Sequence, residues 1–124
     1  MEHYSWDGKV ILIAEDNEIN YFLLHEILSE TKASLLWAKN GQETIDIFEK
    51  NHVDLILMDI KMPIMNGYEA TKVLKQKYEV PIIAQTAHAM ANDEQKSLEA
   101  GCDAYITKPI EQELLLHTIN KYLG

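Results

Sequence analysis

Val10-Ile11-Leu12-Ile13-Ala14-Glu15-Asp16-Asn17 decides the fold. Five apolar residues run without interruption and stop at two carboxylates and an Asn. A strand with one wet face would alternate apolar and polar residues. A run that is apolar at both parities belongs to a strand buried on both faces, as in a parallel sheet. Similar short runs at 34–38, 54–58, 82–85 and 104–107 are bounded by Gly, Asn, Asp or Pro. Between them the spacing changes to the 3/4 period of an amphipathic helix. The period predicts helices over 17–31 (Ile19, Phe22, Leu23 and Ile27 on one stripe), 41–51 (Ile45, Phe48), 66–78 (Ala70, Leu74, Tyr78) and 111–123 (Leu115, Ile119, Tyr122). The segment 89–100 is the least apolar, with Met90 and Leu98 as its only large apolar side chains. The pattern is strand–helix repeated five times. Five units are too few for an eight-stranded barrel, and right-handed crossovers lead to an open, doubly wound α/β parallel sheet. In such a sheet the ligand site lies beyond the C-terminal ends of the strands.

That rule directs attention to a few residues. Glu15 and Asp16 follow the first strand, Asp59 the third, Thr86 the fourth, and Lys108-Pro109 the fifth; Lys39-Asn40-Gly41 after the second reads as a plain turn. Singly, each has an ordinary explanation as a helix cap, a β-former or a solvated turn residue. Together, three carboxylates on one sheet edge repel each other unless something compensates. A hard divalent cation does so, since Mg²⁺ takes a few carboxylates and keeps several waters. Lys108 adds a second positive charge and Thr86 a hydroxyl. A carboxylate nucleophile, a cation, an ammonium and a hydroxyl donor are the parts for phosphoryl transfer to a carboxylate.

Composition narrows the classes. The 124 residues suit one domain. All 11 basic residues are Lys, against 20 acidic ones, for a net charge of −9. An acidic chain without Arg is a poor partner for a nucleic-acid backbone, and phosphate chemistry here has to use Lys and a metal. The single Cys102 forms no internal disulfide, and no apolar run is long enough for a bilayer or a signal sequence. His3, His25, His52, His88 and His117 are too scattered for a zinc site. Residues 1–8, polar apart from Tyr4 and Trp6, read as a lead-in to a domain over 9–124. The expected location is cytoplasmic.

The sequence resembles the receiver domain of bacterial two-component response regulators over 9–123. The resemblance rests on Glu15-Asp16-Asn17, then Leu57-Met58-Asp59-Ile60-Lys61-Met62-Pro63 with Asn66-Gly67, then Ala84-Gln85-Thr86-Ala87, then Gly101-Cys102-Asp103-Ala104-Tyr105-Ile106-Thr107-Lys108-Pro109. The wording of 15–20 and 86–90 is similar to receivers of hybrid sensor histidine kinases. The resemblance implies a flavodoxin-like fold with strand order 2-1-3-4-5. It implies Asp59 as phosphoacceptor, taking a phosphoryl group from the phosphohistidine of a histidine kinase or histidine phosphotransfer domain. Mg²⁺ (or Mn²⁺) would be held by Glu15, Asp16, Asp59 and the main-chain carbonyl of Lys61, with the long Glu15 binding through water. Lys108 would pair with a phosphoryl oxygen, and the Lys108–Pro109 bond would be cis. Thr86 would move its hydroxyl onto the phosphoryl group and Tyr105 would turn inward, switching the face of the fourth helix, fifth strand and fifth helix.

By itself the domain is then no enzyme, only a phosphoacceptor that assists its own phosphorylation and dephosphorylation. It stands alone or comes from a hybrid kinase, a membrane-anchored one included. Phosphorylation-dependent self-association is an admissible further contact; direct binding to nucleic acid or membrane is not expected. What the domain controls is expected on another chain or elsewhere on its own.

Lys61 and His88, two residues after Asp59 and Thr86, either tune the lifetime of the aspartyl phosphate or simply point into solvent. Gln85 is polar where relatives are apolar, Trp37 is large for its strand, and Cys102 reads as a small buried hydrophobe. A flavin-binding protein of the same topology would need a phosphate cradle where Glu15-Asp16-Asn17-Glu18 stands. An aspartate-nucleophile phosphatase would carry an acid at Lys61. The remaining alternative is a pseudo-receiver that only binds partners, which would be expected to lack one of Glu15, Asp16, Asp59, Thr86 or Lys108.

Overall fold

The apolar runs become the five parallel strands of one sheet in the computed structural model, which describes residues 3–87 and 91–124. The elements alternate as β1 Val10–Ala14, α1 Glu18–Ser29, β2 Ser34–Ala38, α2 Gly41–Lys50, β3 Leu55–Asp59, α3 Gly67–Lys77, β4 Ile82–Thr86, α4 Ala91–Ala100, β5 Ala104–Thr107 and α5 Gln112–Leu123. The strand order is β2-β1-β3-β4-β5, with every neighbouring pair parallel. The order reverses at β1, which has β2 on one side and β3 on the other, so a crevice opens at the C-terminal ends of β1 and β3.

Strand alternation divides the core in two. Ile11, Ile13, Leu55, Leu57, Ile83 and Ile106 pack with Leu24, Leu28, Leu115 and Ile119 of α1 and α5. Leu12, Ala14, Ile56, Met58, Ile82 and Ala84 pack with Ile45, Ala70 and Leu74 of α2 and α3. Both faces of β1, β3 and β4 are therefore covered, as the uninterrupted runs require.

Element ends shift slightly from the sequence expectation. β3 starts after Asp54, whose carboxylate accepts the main-chain N–H of Val10 at 2.8 Å. It runs on through Asp59, which lies in register with Gln85, and β4 runs on through Thr86. The Asn residues at 17, 40 and 66 are N-caps, accepting from the N–H groups of Asn20, Glu43 and Glu69. At α3 the Glu69 carboxylate also accepts the N–H of Asn66, closing a capping box.

The expected stripe on α1 is corrected. Ile27 is buried, but Ile19, Phe22 and Leu23 are 79%, 58% and 48% exposed. The buried face is Tyr21, Leu24, Ile27 and Leu28. This helix is apolar on two faces, and the one with Tyr21, whose ring stacks on Trp37 at 3.9 Å between centroids, turns to the sheet. Tyr122, expected in the core, sits at its edge and donates to the carbonyl of Asp103 at 3.1 Å. Leu98 is exposed, so α4 is seated by Ser97 and Ala100; Met90 lies outside the described residues.

The segment before β1 is built into the domain. Trp6 is buried in the α1/α5 core, its N–H donates to the Thr31 carbonyl at 2.7 Å, and its indole N–H donates to Asn120 at 2.9 Å.

Candidate functional site

The sheet topology carries Glu15 and Asp59 to the ends of the neighbouring strands β1 and β3, and Lys108 to the same edge of the sheet from beyond β4. Glu15 and Asp59 continue the parity of Ile13 and Leu57, so both lie toward the α1/α5 layer. Glu15 is fully buried and Asp59 nearly so. Two buried carboxylates side by side need positive charge. Lys108 provides it, its ammonium lying 3.1 Å from Oε1 of Glu15 and 3.4 Å from Oδ1 of Asp59. Asp16, exposed at the rim, completes a group in which Glu15, Asp16 and Asp59 each offer an oxygen, all within 4.8 Å of one another. Burial, with Glu15 beside it, pushes the Asp59 carboxyl up to about 7, and Lys108 offsets only part of this. A carboxyl held that far above its ordinary range is short of positive charge. An all-oxygen set of this span fits a hard divalent cation.

The supporting main chain is held closely. Glu15 Oε2 accepts the N–H of Asn17 at 3.2 Å, and the carbonyl of Glu15 accepts the indole N–H of Trp37 at 2.7 Å. Trp37 thus ties the end of β2 to the loop after β1, with Tyr21 stacked on one side and the Lys39 ammonium 4.8 Å from its ring centre. The N–H of Lys61 points to Oδ1 of Asp59 at 3.4 Å. Gly67 donates to the Ile60 carbonyl at 2.9 Å. A side chain there would strike the Asp59 carbonyl oxygen and sit 2.9 Å from the Ile60 Cα. The turn after β2 is also a close approach: Gly41 donates to the Met65 carbonyl at 2.9 Å, joining α2 to the loop after Asp59.

Sequence reasoning missed Trp37 and Gly67 as parts of the site. Asn66-Gly67-Tyr68-Glu69 does carry the capping-box signal that fixes where α3 begins. The Trp37 bond joins residues 22 apart and has no local signature.

Thr86 and Tyr105 lie on the opposite sheet face from Asp59. Thr86 follows the parity of Ala84, which is in register with Tyr105, and Tyr105 packs against the α2/α3 core. The Thr86 carbonyl accepts the N–H of Lys108 at 2.7 Å, and the Lys108–Pro109 peptide is cis. A cavity of about 520 Å³ beside Thr86 is lined by Lys61, Asn66, Tyr68 and Lys96. His88 lies outside the described residues. Cys102 is buried with its thiol pushed up by burial, as a packing residue should be. Among the described residues, no helix is long and apolar enough to cross a membrane.

The fold and sequence have known counterparts. The family model described as "Response regulator receiver domain" matches residues 11–120. The polar-differentiation response regulator DivK of Brucella ovis is 41% identical over 119 residues, covering 94% of this chain and 97% of DivK. The receiver domain of Saccharomyces cerevisiae Ssk1, solved with the histidine phosphotransfer protein Ypd1, is 33% identical with a TM-score of 0.88, covering 94% of this chain and 90% of that one. The receiver domain of the sensor histidine kinase PA1611 of Pseudomonas aeruginosa, solved with magnesium in its active-site cleft, is 31% identical with a TM-score of 0.87, covering 94% and 98%.

Proposed function

The chain belongs to the response regulator receiver domain family of two-component signalling, and on that premise we propose that it accepts a phosphoryl group from a phosphohistidine onto Asp59. The observation that carries this reading is the convergence of three carboxylates within 4.8 Å on an ammonium 3.1 and 3.4 Å from two of them. In the transfer, an Asp59 oxygen forms a bond to phosphorus as the P–N bond to imidazole breaks, and the electron pair leaves with the ring nitrogen. Glu15, Asp16, Asp59 and the Lys61 carbonyl would hold Mg²⁺ or Mn²⁺, which neutralises phosphoryl oxygen charge. Lys108 lies within reach of both inner carboxylates and neutralises a second oxygen.

The partner is a histidine kinase or histidine phosphotransfer domain, a reading supported by the Ypd1 complex of the similar Ssk1 receiver. We place the donor's docking surface on α1. Ile19, Phe22 and Leu23 form an exposed apolar face on the helix that starts at the rim of the acidic group, and a phosphohistidine has to reach that rim.

Thr86 moving toward the phosphoryl group would vacate space on the α4 side of the sheet, where Tyr105 lies. Among its described side chains α4 buries only Ser97 and Ala100, so the α4/β5/α5 face is the proposed output. Lys61 lines the same cavity as Thr86, which favours a part in aspartyl-phosphate lifetime over a merely solvated side chain. Incubation with a small-molecule phosphodonor tests the core of the proposal. Phosphorylation is expected with Mg²⁺ and lost when EDTA removes it; equal labelling in EDTA would contradict it.

A further inference from the structure

Gln85 is fully buried in β4, and neither its side-chain nitrogen nor its oxygen has a hydrogen-bond partner in the protein. A primary amide carries two donors and an acceptor with two lone pairs. Leaving both ends unmade in an apolar interior is costly, and each such group in a folded protein calls for an explanation. Leu57, Ile83 and Ile106 on the same sheet face are apolar, and only Asp59 beside it is polar, so a Met or Leu would fill the same space without that cost.

The position supplies the explanation. Gln85 follows the parity of Ile83 and points to the α1/α5 side, the side of Glu15 and Asp59. It stands in register between Asp59 on β3 and Ile106 on β5. Lys108 lies two residues beyond Ile106, on the same side and diagonal to Gln85, within reach of a long side chain. The Lys108 ammonium has three protons, and its acceptors among the described residues are Glu15 and Asp59. An amide without partners and an ammonium with a proton to spare therefore share one side of the sheet with the same carboxylates, and no direct bond joins them. A buried water is the ordinary bridge between polar groups so placed.

We propose that Gln85 holds a buried water against the inner side of the Glu15–Asp59–Lys108 cluster and, through it, fixes the Lys108 ammonium. The water oxygen accepts the remaining Lys108 N–H, one water proton goes to Gln85 Oε1, and the other faces the carboxylates. Gln85 is then a positioning residue for phosphoryl transfer, a role that rests on reading Asp59 as the phosphoacceptor.

Gln85→Met keeps the length and removes the amide. Phosphorylation by acetyl phosphate is followed by intact mass across a Mg²⁺ titration, beside wild type and Asp59→Asn. The variant is expected to be at least as resistant to urea as wild type. Its rate at saturating Mg²⁺ should fall about tenfold, as for loss of one hydrogen bond to a charged group, while the Mg²⁺ midpoint stays in place. A purely structural role would move stability and rate together. A high-resolution crystal structure of the wild type should show a water within hydrogen-bonding distance of both the Gln85 amide and Lys108 Nζ, and it decides the matter if the variant does not fold. A Gln85→Met rate equal to wild type, or a wild-type crystal structure with no such water, overturns the inference. Wild type that takes no phosphoryl group overturns the reading of Asp59 instead, and the water remains to be seen or not.

Discussion

Asp59→Asn should stabilise the metal-free protein, and by an amount that grows with pH. The Asp59 carboxyl is raised from an ordinary 3.8 to about 7, first by burial and then by Glu15, against the pull of Lys108. Below pH 4 the group is protonated in the folded and unfolded chain alike and contributes nothing. Between about pH 4 and 7 the unfolded chain has released its proton and the folded chain has not, so each rise in pH favours unfolding. Above pH 7 the loss is complete. At about 1.4 kcal/mol for each tenfold in acidity, the full loss is about 4 kcal/mol, of which about 2 kcal/mol is already present at pH 5. Asn has the same shape and never ionises, and Lys108 keeps Glu15 as its partner at 3.1 Å. The advantage of the variant should therefore widen by about 2–3 kcal/mol from pH 5 to pH 8. Urea unfolding in EDTA, read from the fluorescence of the buried Trp6 and the stacked Trp37, measures it. With an m-value of about 1.5 kcal/mol per M, the gap between midpoints grows by about 1.3–2 M. Millimolar Mg²⁺ at pH 8 should raise the wild-type midpoint more than that of the variant. A pH-independent difference, or an Asp59→Asn variant that is the less stable at pH 8, would refute this account of the charge balance.

Gly67→Ala puts a methyl group against the Asp59 carbonyl and 2.9 Å from the Ile60 Cα, backbone that cannot turn aside. It should cost about 1–3 kcal/mol in urea unfolding and slow phosphorylation of Asp59; an Ala variant of wild-type stability counts against the close approach. Phe22→Glu charges the middle of the exposed α1 face and should slow transfer from a phosphohistidine protein at least tenfold relative to transfer from acetyl phosphate, by about 1.4 kcal/mol or more. Equal slowing of both would move the docking surface elsewhere. Trp6→Ala removes a buried indole that bonds Asn120 and should cost about 3–5 kcal/mol in the same unfolding assay; a loss under about 1 kcal/mol would make the segment before β1 dispensable.

The parts of this molecule that were legible in advance are those where one local pattern has one outcome. Val10–Ala14, Leu55–Met58 and Ile82–Ala84 are apolar at both parities, which only a doubly covered strand satisfies, so the central strands and the topology followed. Once the strands were placed, topology alone carried Glu15, Asp59 and Lys108 to one edge. The α1 stripe was not legible, because Ile19-Phe22-Leu23 and Tyr21-Leu24-Leu28 both obey the helical period. The choice between them is made by Trp37, which lies on another element and stacks on Tyr21. Trp6 was hidden for a related reason: its surroundings in sequence are polar, and its partners Thr31 and Asn120 are distant in the chain. The bond from Trp37 to the Glu15 carbonyl and the approach of Gly67 to Asp59 depend on register between elements, which composition does not encode.

The most direct test of the central claim is the intact mass of wild type and Asp59→Asn after exposure to acetyl phosphate and Mg²⁺. The account predicts a gain of about 80 Da, one phosphoryl group, in wild type and none in the variant. No gain in wild type, or the same gain in Asp59→Asn, would contradict it.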